Sequence, residues 1–341
     1  MKTAVFSTRE YDRQFLDEAN QKFKHELFYH AECLHRDTAT IAAGCPAVCA
    51  FVDDQLDGPT LSVLAAGGTR LIALRSAGFN NVDLSSAEQL KMTVMRVPAY
   101  SPEAVAEHAV ALMLTLNRNI HHAYNRVREG NFDLKGLVGF NIAGKTVGIV
   151  GTGKIGAALA HIMKGFGCRL LGYDKYHNPA CLALDMRYVD LADLLKESDI
   201  VSLHCPLMPE TKYLINDKAI KLMKRGSMLI NTARGALIDT PAVIEALKTR
   251  HLSYLGVDVY EEEGPLFYAD LSSTIIQDDV FERLTTLPNV VVTGHQGFLT
   301  REALAQIAEI TLSNITDFQS GRANRKNMVA SHNSVDGRSN A

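Results

Sequence analysis

Three glycines in the middle of the chain have a spacing that suits the binding of a dinucleotide. Gly151, Gly153 and Gly156 follow the apolar segment Thr146–Val150 and precede the helical segment Ala157–Phe166. In such a unit the first glycine permits a tight turn, the second lets the backbone approach a pyrophosphate, and the third lets the helix pack closely on the strand. The phosphates lie at the helix N-terminus, where free N–H groups and the helix dipole favour negative charge. The strand and helix on either side disfavour the alternative, a glycine-rich turn without a ligand.

An acidic residue, Asp174, ends the next predicted strand, 18 residues after Gly156. A carboxylate at this position accepts hydrogen bonds from the adenosine ribose hydroxyls and repels a 2′-phosphate. The sequence therefore predicts NAD rather than NADP as the cofactor. Lys175, which follows directly, is a mild argument in the opposite direction.

Two further side chains with catalytic chemistry follow predicted strands. Arg234 comes after Ser227–Asn231 and His295 after Val290–Thr293, at the carboxyl ends where open α/β sheets bind ligands. Position alone leaves Arg234 equally consistent with a surface loop. Any single one of the 12 histidines is more often a surface or core residue. The three consecutive glutamates 261–263 are, by composition, a solvated acidic run.

Short β-like segments alternate with helical ones over the first 100 residues. The predicted helix is Tyr11–Phe23, and the predicted strands are Thr3–Phe6, Ala47–Phe51, Leu71–Leu74 and Thr93–Val97. Strands separated by helix-length segments imply a parallel sheet with helices on its faces. Ser101-Pro102-Glu103, with proline in the first turn, then begins a long helical stretch to about Glu129.

A second alternating series runs from Lys145 to about Gly294. Its predicted strands are Thr146–Val150, Arg169–Tyr173, Ile200–Leu203, Ser227–Asn231, Tyr254–Val257 and Val290–Thr293. An amphipathic helix follows from Thr300 to about Gln319. The tail from Gly321 is polar and offers almost nothing to bury, so we expect it to be frayed.

Composition argues against several classes of protein. The net charge of -3 gives no electrostatic reason to expect nucleic acid or an anionic membrane as a partner. No apolar run reaches the roughly 18 residues that span a bilayer, and the N-terminus is not that of a secretory signal. The six cysteines are too scattered for a disulfide scaffold, and Cys45 and Cys49 lack a second pair at zinc spacing. We therefore expect buried free thiols in a cytoplasmic protein.

Several segments together resemble the D-isomer-specific 2-hydroxyacid dehydrogenases, and most of all the D-lactate dehydrogenase branch found in bacteria. Besides the glycine fingerprint, the similar segments are Arg75–Asp83, Val97–His108, Leu203–Leu207, Asn231–Asp239, Asp258–Glu263 and Gly294–Thr300. The resemblance covers roughly residues 1–320 and keeps the order and spacing of the segments.

This resemblance implies an α/β fold of two doubly wound parallel-sheet domains joined by long helices. Residues 1–100 would form the first part of a flavodoxin-like substrate domain, and 101–299 a Rossmann NAD-binding domain. Residues 300–331 would return to the substrate domain as a C-terminal helix, and 332–341 would be a disordered tail. The active site would lie in the cleft between the domains, where hinge closure excludes water.

The implied reaction is reduction of a 2-oxo acid. It needs a group that binds the carboxylate, a group that polarises the ketone, and a proton donor. An arginine fork matches a carboxylate and stays charged, and a histidine donates protons near neutral pH. The family pattern assigns these roles to Arg234 and His295. It places Glu263 as the partner that keeps the histidine protonated and oriented, with Asp258 close to the nicotinamide. Composition alone could not choose among the three glutamates.

The resemblance also implies further binding residues. The N–H groups of Ala77 and Gly78 could hold the substrate carboxylate, Tyr100 could donate its hydroxyl to the same group, and Phe298 could cover the substrate side chain. Arg234 and His295 complete the substrate set. The implied cofactor contacts are Gly151, Gly153, Lys154, Ile155, Gly156, Asp174, His204, Cys205, Pro206, Thr211, Thr232, Ala233, Arg234 and Asp258. No metal ion is expected.

The most specific function implied is the reversible NADH-dependent reduction of pyruvate to D-lactate in fermentation. The enzyme would be a homodimer or homotetramer, with the helices at 101–129 in the dimer interface. The nearest alternative is a dehydrogenase for a larger D-2-hydroxy acid of the 2-hydroxyisocaproate type. A formate dehydrogenase fits less well, because its pattern has glutamine at the position of Glu263. A dinucleotide-sensing binding protein, from another class, stays open because a fold alone does not fix a function.

Overall fold

The computed structural model describes residues 1–322 and 324–329, in which strands and helices alternate along the chain. The strands are β1 (Lys2–Val5), β2 (Glu26–Tyr29), β3 (Ala47–Ala50), β4 (Leu71–Leu74), β5 (Thr93–Met95), β6 (Thr146–Val150), β7 (Arg169–Tyr173), β8 (Arg187–Tyr188), β9 (Ile200–Leu203), β10 (Ser227–Asn231), β11 (Leu252–Val257), β12 (Val290–Val292) and β13 (Met328–Val329). The α-helices are α1 (Glu10–Phe23), α2 (Gly58–Ala66), α3 (Leu84–Gln89), α4 (Pro102–Asn117), α5 (Ile120–Arg128), α6 (Lys154–Gly165), α7 (Pro179–Leu182), α8 (Leu191–Glu197), α9 (Asp217–Leu222), α10 (Thr240–Lys248), α11 (Asp279–Thr285) and α12 (Arg301–Gln319).

The chain divides into two compact units. The first comprises Met1–Ser101 together with the described residues from Leu299 onward, and the second is Pro102–Phe298. The predicted tail at 332–341 lies outside the described residues. Among those residues, no helix combines the length and the apolar character needed to cross a membrane.

The first unit is a parallel sheet with helices on both faces. Its strand order is β2–β1–β3–β4–β5, and β13 is added antiparallel to β5. In β4, Leu71 and Ala73 pack in the apolar cluster of α1 and α12, whereas Ile72 and Leu74 pack in the cluster of α2 on the opposite face. Alternate side chains of one strand are thus buried on opposite faces, which explains the continuous apolar runs in the sequence. The order 2-1-3-4-5 is the doubly wound, flavodoxin-like order, and it confirms the predicted fold.

The second unit is a parallel sheet of order β8–β7–β6–β9–β10–β11–β12. Counted within the unit, this order is 3-2-1-4-5-6-7, that of a Rossmann fold, which confirms the second fold prediction. The order reverses beside β6, so the loops after β6 and β9 lie at the topological switch point. Helix α4 packs against α6 and β11 on one face of this sheet.

The helical stretch predicted from Ser101 to about Glu129 consists of two helices. Helix α4 ends at Asn117, and Asn119 adopts a left-handed conformation (φ 52°) before α5 begins. The segment at Gly139 and Phe140 lies against this end. The Phe140 N–H donates to the Asn117 carbonyl, and a Cβ on Gly139 would be 2.0 Å from that oxygen. This local contact, which periodicity does not register, takes a carbonyl that a longer helix would need.

Sequence periodicity also missed the short strands β2, β8 and β13. These strands lie at sheet edges or have only two residues. Their sequences therefore show little of the apolar periodicity that predicts a strand. The thiols are free, as expected, but Cys33 is exposed and Cys205 is half-buried, so burial holds only for the other four.

Candidate active site

The predicted cofactor and catalytic residues of the second unit come together at one edge of its sheet. All of its strands are parallel, so the loops that follow them leave from the same edge. The residues that directly follow these strands are Gly151 after β6, Asp174 after β7, His204 after β9, Thr232 after β10 and Asp258 after β11. His295 follows β12 by three residues. The sheet topology thus gathers segments that are up to 144 residues apart in sequence, from Gly151 to His295.

The three glycines of the fingerprint have different surroundings. Gly151 has φ +92°, and a Cβ there would be 2.6 Å from the Cys205 nitrogen. A Cβ on Gly156 would be 2.0 Å from the Gly151 carbonyl oxygen, so close packing requires glycine at both positions. A Cβ on Gly153 would meet no described atom within 4 Å. Packing of the chain therefore does not explain Gly153, whereas a ligand lying over the N-terminus of α6 does.

Asp174 closes the glycine loop onto the end of β7. Its Oδ2 accepts the Thr152 N–H at 2.6 Å, and its Oδ1 accepts the Tyr176 N–H at 3.1 Å. The carboxylate is half-buried, and each oxygen has further lone-pair capacity. Asp174 is thus placed to accept hydroxyl hydrogen bonds next to the glycine loop, as its predicted role requires.

The loop after β9 contains a histidine with one unsatisfied nitrogen. His204 Nε2 lies 2.8 Å from Ser202 Oγ, while the buried Nδ1 has no hydrogen-bond partner in the part of the chain described. Burial lowers the pKa of the His204 imidazole to about 4, so the ring is neutral at physiological pH. Burial also raises the pKa of the Cys205 thiol to about 11. A neutral donor or acceptor beside Gly151 suits a nucleoside better than a phosphate.

Pro206 and Thr211 belong to the same loop. The Thr211 hydroxyl donates to the Pro206 carbonyl at 2.7 Å and accepts the Met208 N–H at 2.7 Å. The Thr211 hydroxyl therefore stabilises the loop through internal hydrogen bonds. Its contact with the cofactor stays a prediction.

The loop after β10 presents Thr232, Ala233 and Arg234. The buried Asn231 side chain accepts the Ala233 N–H at 3.1 Å and donates to the Arg234 carbonyl at 2.8 Å, which fixes the loop. Arg234 Nη1 donates to the Ala233 carbonyl at 2.6 Å. The buried Thr232 hydroxyl has no partner among the described residues, so it is a second polar atom at this edge that a ligand would satisfy.

Asp258 anchors the loop that carries the candidate proton donor. This buried carboxylate accepts the Thr293 hydroxyl at 2.5 Å, the Gln296 N–H at 2.9 Å and the Gly297 N–H at 2.7 Å. His108 Nε2, from α4, lies 3.2 Å from its Oδ1. Burial by itself would raise the pKa of Asp258, but the hydrogen bonds from His108, Thr293 and Gln296 lower it below its ordinary value. Asp258 thus stays ionised and positions residues 293–297.

His295 and Glu263 form a hydrogen-bonded pair at this edge. His295 Nδ1 lies 2.9 Å from Glu263 Oε1, and the other carboxylate oxygen accepts the Tyr260 N–H at 3.0 Å. His295 has a left-handed backbone (φ 52°), which is uncommon for a residue other than glycine and indicates a constrained position. The Tyr268 hydroxyl also donates to the His295 carbonyl at 3.2 Å. The pair leaves Nε2 of His295 as the ring nitrogen that can exchange a proton.

The first unit holds Ala77, Gly78 and Tyr100. A turn follows β4, in which the Ser76 hydroxyl donates to the Gly78 carbonyl at 2.8 Å. The N–H groups of Ala77 and Gly78 donate to no residue that the structure describes. Two adjacent N–H groups without a described acceptor are available to bind an anion. Tyr100 is half-buried in this unit, whereas Phe298 is buried in the second.

Comparison with known proteins decides the family. Residues 110–297, more than half of the chain, match the family model for the NAD-binding domain of D-isomer-specific 2-hydroxyacid dehydrogenases. The chain belongs to the D-isomer-specific 2-hydroxyacid dehydrogenases. It is accordingly an NAD-dependent oxidoreductase, and the predicted family and cofactor are confirmed.

Relatives match this 2-hydroxyacid dehydrogenase over nearly its full length. D-lactate dehydrogenase of Escherichia coli K12 is 54% identical over 321 residues, which cover 94% of this chain and 98% of that one. The apo-structure of D-lactate dehydrogenase from Escherichia coli has a TM-score of 0.89 at 51% identity, covering 97% of this chain and 100% of that one. The structure of D-lactate dehydrogenase with NAD⁺ from Lactobacillus jensenii has a TM-score of 0.81 at 34% identity, covering 97% and 100%.

Sequence patterns missed several residues that support this dehydrogenase site. His108, Thr293 and Tyr268 hold the His295 loop, and no spacing rule selects them. Glu261 was grouped with the solvated acidic run, but its Oε1 accepts the Tyr213 hydroxyl at 2.6 Å. Only Glu262 of the three glutamates is exposed. Partners that are distant in sequence decide these environments, and composition carries no information about them.

Proposed function

We propose that this 2-hydroxyacid dehydrogenase reduces pyruvate to D-lactate with NADH, and oxidises D-lactate in the reverse direction. The observation that carries the proposal is the pair of His295 and Glu263, whose 2.9 Å contact supplies a positioned proton donor. The identities of 51–54% to D-lactate dehydrogenases support pyruvate as the substrate. The balanced reaction is pyruvate + NADH + H⁺ to D-lactate + NAD⁺.

The cofactor site is assigned to the edge formed by the carboxyl ends of the strands in the second unit. The residues proposed to hold NADH are Gly151, Gly153, Lys154, Ile155, Gly156, Asp174, His204, Cys205, Pro206, Thr211, Thr232, Ala233, Arg234 and Asp258. The open space at Gly153 and the unpartnered polar atoms of His204 and Thr232 fit a dinucleotide there. When bound, NADH supplies the hydride that adds to the carbonyl carbon.

The substrate is bound and activated by the chain's own groups. The free N–H groups of Ala77 and Gly78 bind the carboxylate, Tyr100 donates its hydroxyl to it, and Phe298 covers the methyl group. The guanidinium of Arg234 binds the substrate and stabilises the negative charge that develops on the ketone oxygen. The imidazolium of His295 donates the proton that turns this oxygen into a hydroxyl, and the carboxylate of Glu263 stabilises the imidazolium beforehand.

Steady-state NADH oxidation with a panel of 2-oxo acids tests this proposal. Pyruvate, 2-oxoisocaproate and phenylpyruvate are compared by kcat/KM, and a stereospecific assay determines the handedness of the product. We expect the highest kcat/KM with pyruvate, D-lactate as the product, and a preference for NADH over NADPH because of Asp174. A higher kcat/KM with a larger oxo acid would indicate the 2-hydroxyisocaproate type. Binding of NADH without reduction of any oxo acid would indicate a sensing protein.

We further propose that the enzyme is a cytoplasmic homo-oligomer. The six free cysteines support a reducing compartment, in which NADH would be reoxidised during fermentation. Large exposed apolar side chains are concentrated between residues 120 and 138, which supports self-association. These are Ile120, Tyr124, Val127, Phe132, Leu134 and Val138. Nine of the 16 residues of α4 are buried in its own unit and none of α5 is, which favours α5 and the segment after it over α4 as the interface.

A further inference from the structure

Arg96, which follows β5 in the first unit, contacts the turn that contains Ala77 and Gly78. Its Nη1 donates to the Ala77 carbonyl at 2.8 Å, and its guanidinium carbon lies 5.2 Å from the centre of the Phe79 ring. One arginine thus contacts the residue before Gly78 and the residue after it. No sequence motif assigns Arg96 a role.

The Ala77 carbonyl and the Gly78 N–H belong to the same peptide group. A trans peptide is planar and holds its C=O and N–H on opposite sides, so a bond that fixes one fixes the other. Because Arg96 holds the carbonyl, the Gly78 N–H points away from Arg96. The Ser76 hydroxyl fixes the next peptide group in the same way through the Gly78 carbonyl.

The bond from Arg96 also affects the strength of the Gly78 N–H as a donor. A charged guanidinium that donates to a carbonyl polarises the amide, and hydrogen bonds in such a chain strengthen one another. No carboxylate among the described residues lies within ion-pair distance of Arg96, so no neighbouring charge within that distance offsets this polarisation. Arg96 thus both orients and polarises the Gly78 N–H.

The C-terminal segment holds the backbone of Arg96. The Arg96 N–H donates to the Asn327 carbonyl at 2.8 Å, next to the antiparallel strand β13. The side chain of buried Asn314, on α12, donates to the Arg96 carbonyl at 3.0 Å and accepts from the Asn327 side chain at 2.8 Å. Arg96 is therefore fixed at both of its backbone polar groups.

We propose that Arg96 is a positioning residue for the substrate carboxylate. It acts through the 77–78 peptide group, whose N–H it orients and polarises, and the contacts of Asn314 and Asn327 keep it in place. The inference rests on the proposed function, because it takes the carboxylate of a 2-oxo acid as the anion at this turn. It predicts that Arg96 controls the affinity for the oxo acid and leaves the affinity for NADH unaffected.

The test measures KM for pyruvate, KM for NADH and inhibition by oxamate in Arg96→Gln. We expect KM for pyruvate and the inhibition constant of oxamate to rise about tenfold, with KM for NADH within about twofold of the wild type. Arg96→Lys keeps the charge and one donor but loses the planar group over Phe79, so we expect an intermediate KM for pyruvate. A purely structural role would not separate the two substrates in this way.

Arg70→Gln is the matched control. Arg70 precedes β4 and so lies at the amino-terminal ends of the strands of the same sheet. It also donates to backbone carbonyls, those of Ala65 and Thr69 at 2.9 and 2.7 Å. We expect its KM for pyruvate to equal that of the wild type.

The result that overturns the inference is a KM for pyruvate in Arg96→Gln within twofold of the wild type, or a parallel rise of both KM values. If Arg96→Gln does not fold, Arg96→Met is measured by the same criteria, because its apolar stem can still pack on Phe79. A wild-type enzyme that does not reduce pyruvate would refute the proposed function itself, so the two failures are distinguishable.

Discussion

Three adjacent glutamates with identical chemistry have three different environments in this protein. The Glu261 carboxylate accepts the Tyr213 hydroxyl, Glu262 is exposed, and Glu263 pairs with His295. Only the last of these contacts places a negative charge against a group that must carry a proton. The function of an acidic residue here depends on its partner and not on its type.

Removing the charge of Glu263 is expected to slow the reduction of pyruvate. Reduction requires protonated His295, so Glu263→Gln, which keeps the shape but loses the charge, removes a stabiliser of the imidazolium. We expect kcat/KM for pyruvate to fall about tenfold, which corresponds to about 1.4 kcal/mol of charge coupling. Steady-state kinetics at saturating NADH measure the effect.

The control is Glu262→Gln, since Glu262 is exposed, and we expect it to leave kcat/KM for pyruvate unchanged. Glu261 is unsuitable as a control because of its bond to Tyr213. A loss of kcat/KM in Glu262→Gln without one in Glu263→Gln would contradict the assignment of Glu263.

The planar fork of Arg234 is expected to matter as much as its charge. Arg234→Lys keeps the positive charge but replaces two parallel donors by one compact ammonium group. We expect kcat/KM for pyruvate to fall about 100-fold, or about 2.7 kcal/mol, with losses in both kcat and KM. Steady-state kinetics at saturating NADH measure the effect. Near-native kinetics would show that the substrate is bound elsewhere.

The glycine loop and α6 show how one element combines folding and binding requirements. Gly156 and Gly151 are required by contacts within the chain, because a Cβ on either would meet backbone atoms at less than 3 Å. Gly153, the N-cap of α6, has no such contact and has an ordinary φ of -63°. A spacing rule gives all three glycines one explanation, whereas the structure separates them.

Alanine substitutions should separate these two requirements. Gly156→Ala forces a backbone shift and should cost on the order of 1–3 kcal/mol of stability, seen as a lower Tm without ligand. Gly153→Ala should leave the Tm of the ligand-free protein almost unchanged but weaken NADH binding about tenfold, because the methyl group occupies the approach to α6. Thermal denaturation and NADH titration by fluorescence measure both quantities. A Gly153→Ala protein that binds NADH normally would remove Gly153 from the cofactor site.

Elements with continuous apolar runs could be predicted from sequence, and elements fixed by a single contact could not. Strands β4, β6, β9 and β10 have the predicted bounds because both of their faces are buried, and β7 has them with a buried centre and exposed ends. Strand β13 pairs with β5 through two residues, and the break at Asn119 accompanies a contact of Phe140 with Asn117. The site followed the same rule. Sequence motifs identified the candidate site residues. They did not reveal that Asp258, predicted as a cofactor contact, also anchors the His295 loop.

At the scale of the whole molecule, the chain passes between two doubly wound units twice, at residues 101–102 and 298–299. Residues just before and just after the second passage therefore pack in different units. His295 is held by Glu263 within the second unit, while α12 packs on α1 in the first. The return of the chain as α12 is also what brings Asn314 and Asn327 to Arg96. Contacts between the start and the end of the sequence, which local patterns cannot register, thus support the turn at Ala77 and Gly78.

The exposed apolar side chains between residues 120 and 138 lead to a prediction about assembly. Leu134 and Val138 are 77% and 87% exposed, and a second copy of the chain would remove such surface from water. The double variant Leu134→Asp/Val138→Asp should therefore shift the enzyme from oligomer toward monomer, as measured by sedimentation velocity over a range of concentrations. Ile275→Asp is the control, because Ile275 is equally exposed at 81% but lies outside this segment. Equal sedimentation of wild type and double variant would exclude this segment as the interface, whereas dissociation by Ile275→Asp alone would place the interface elsewhere.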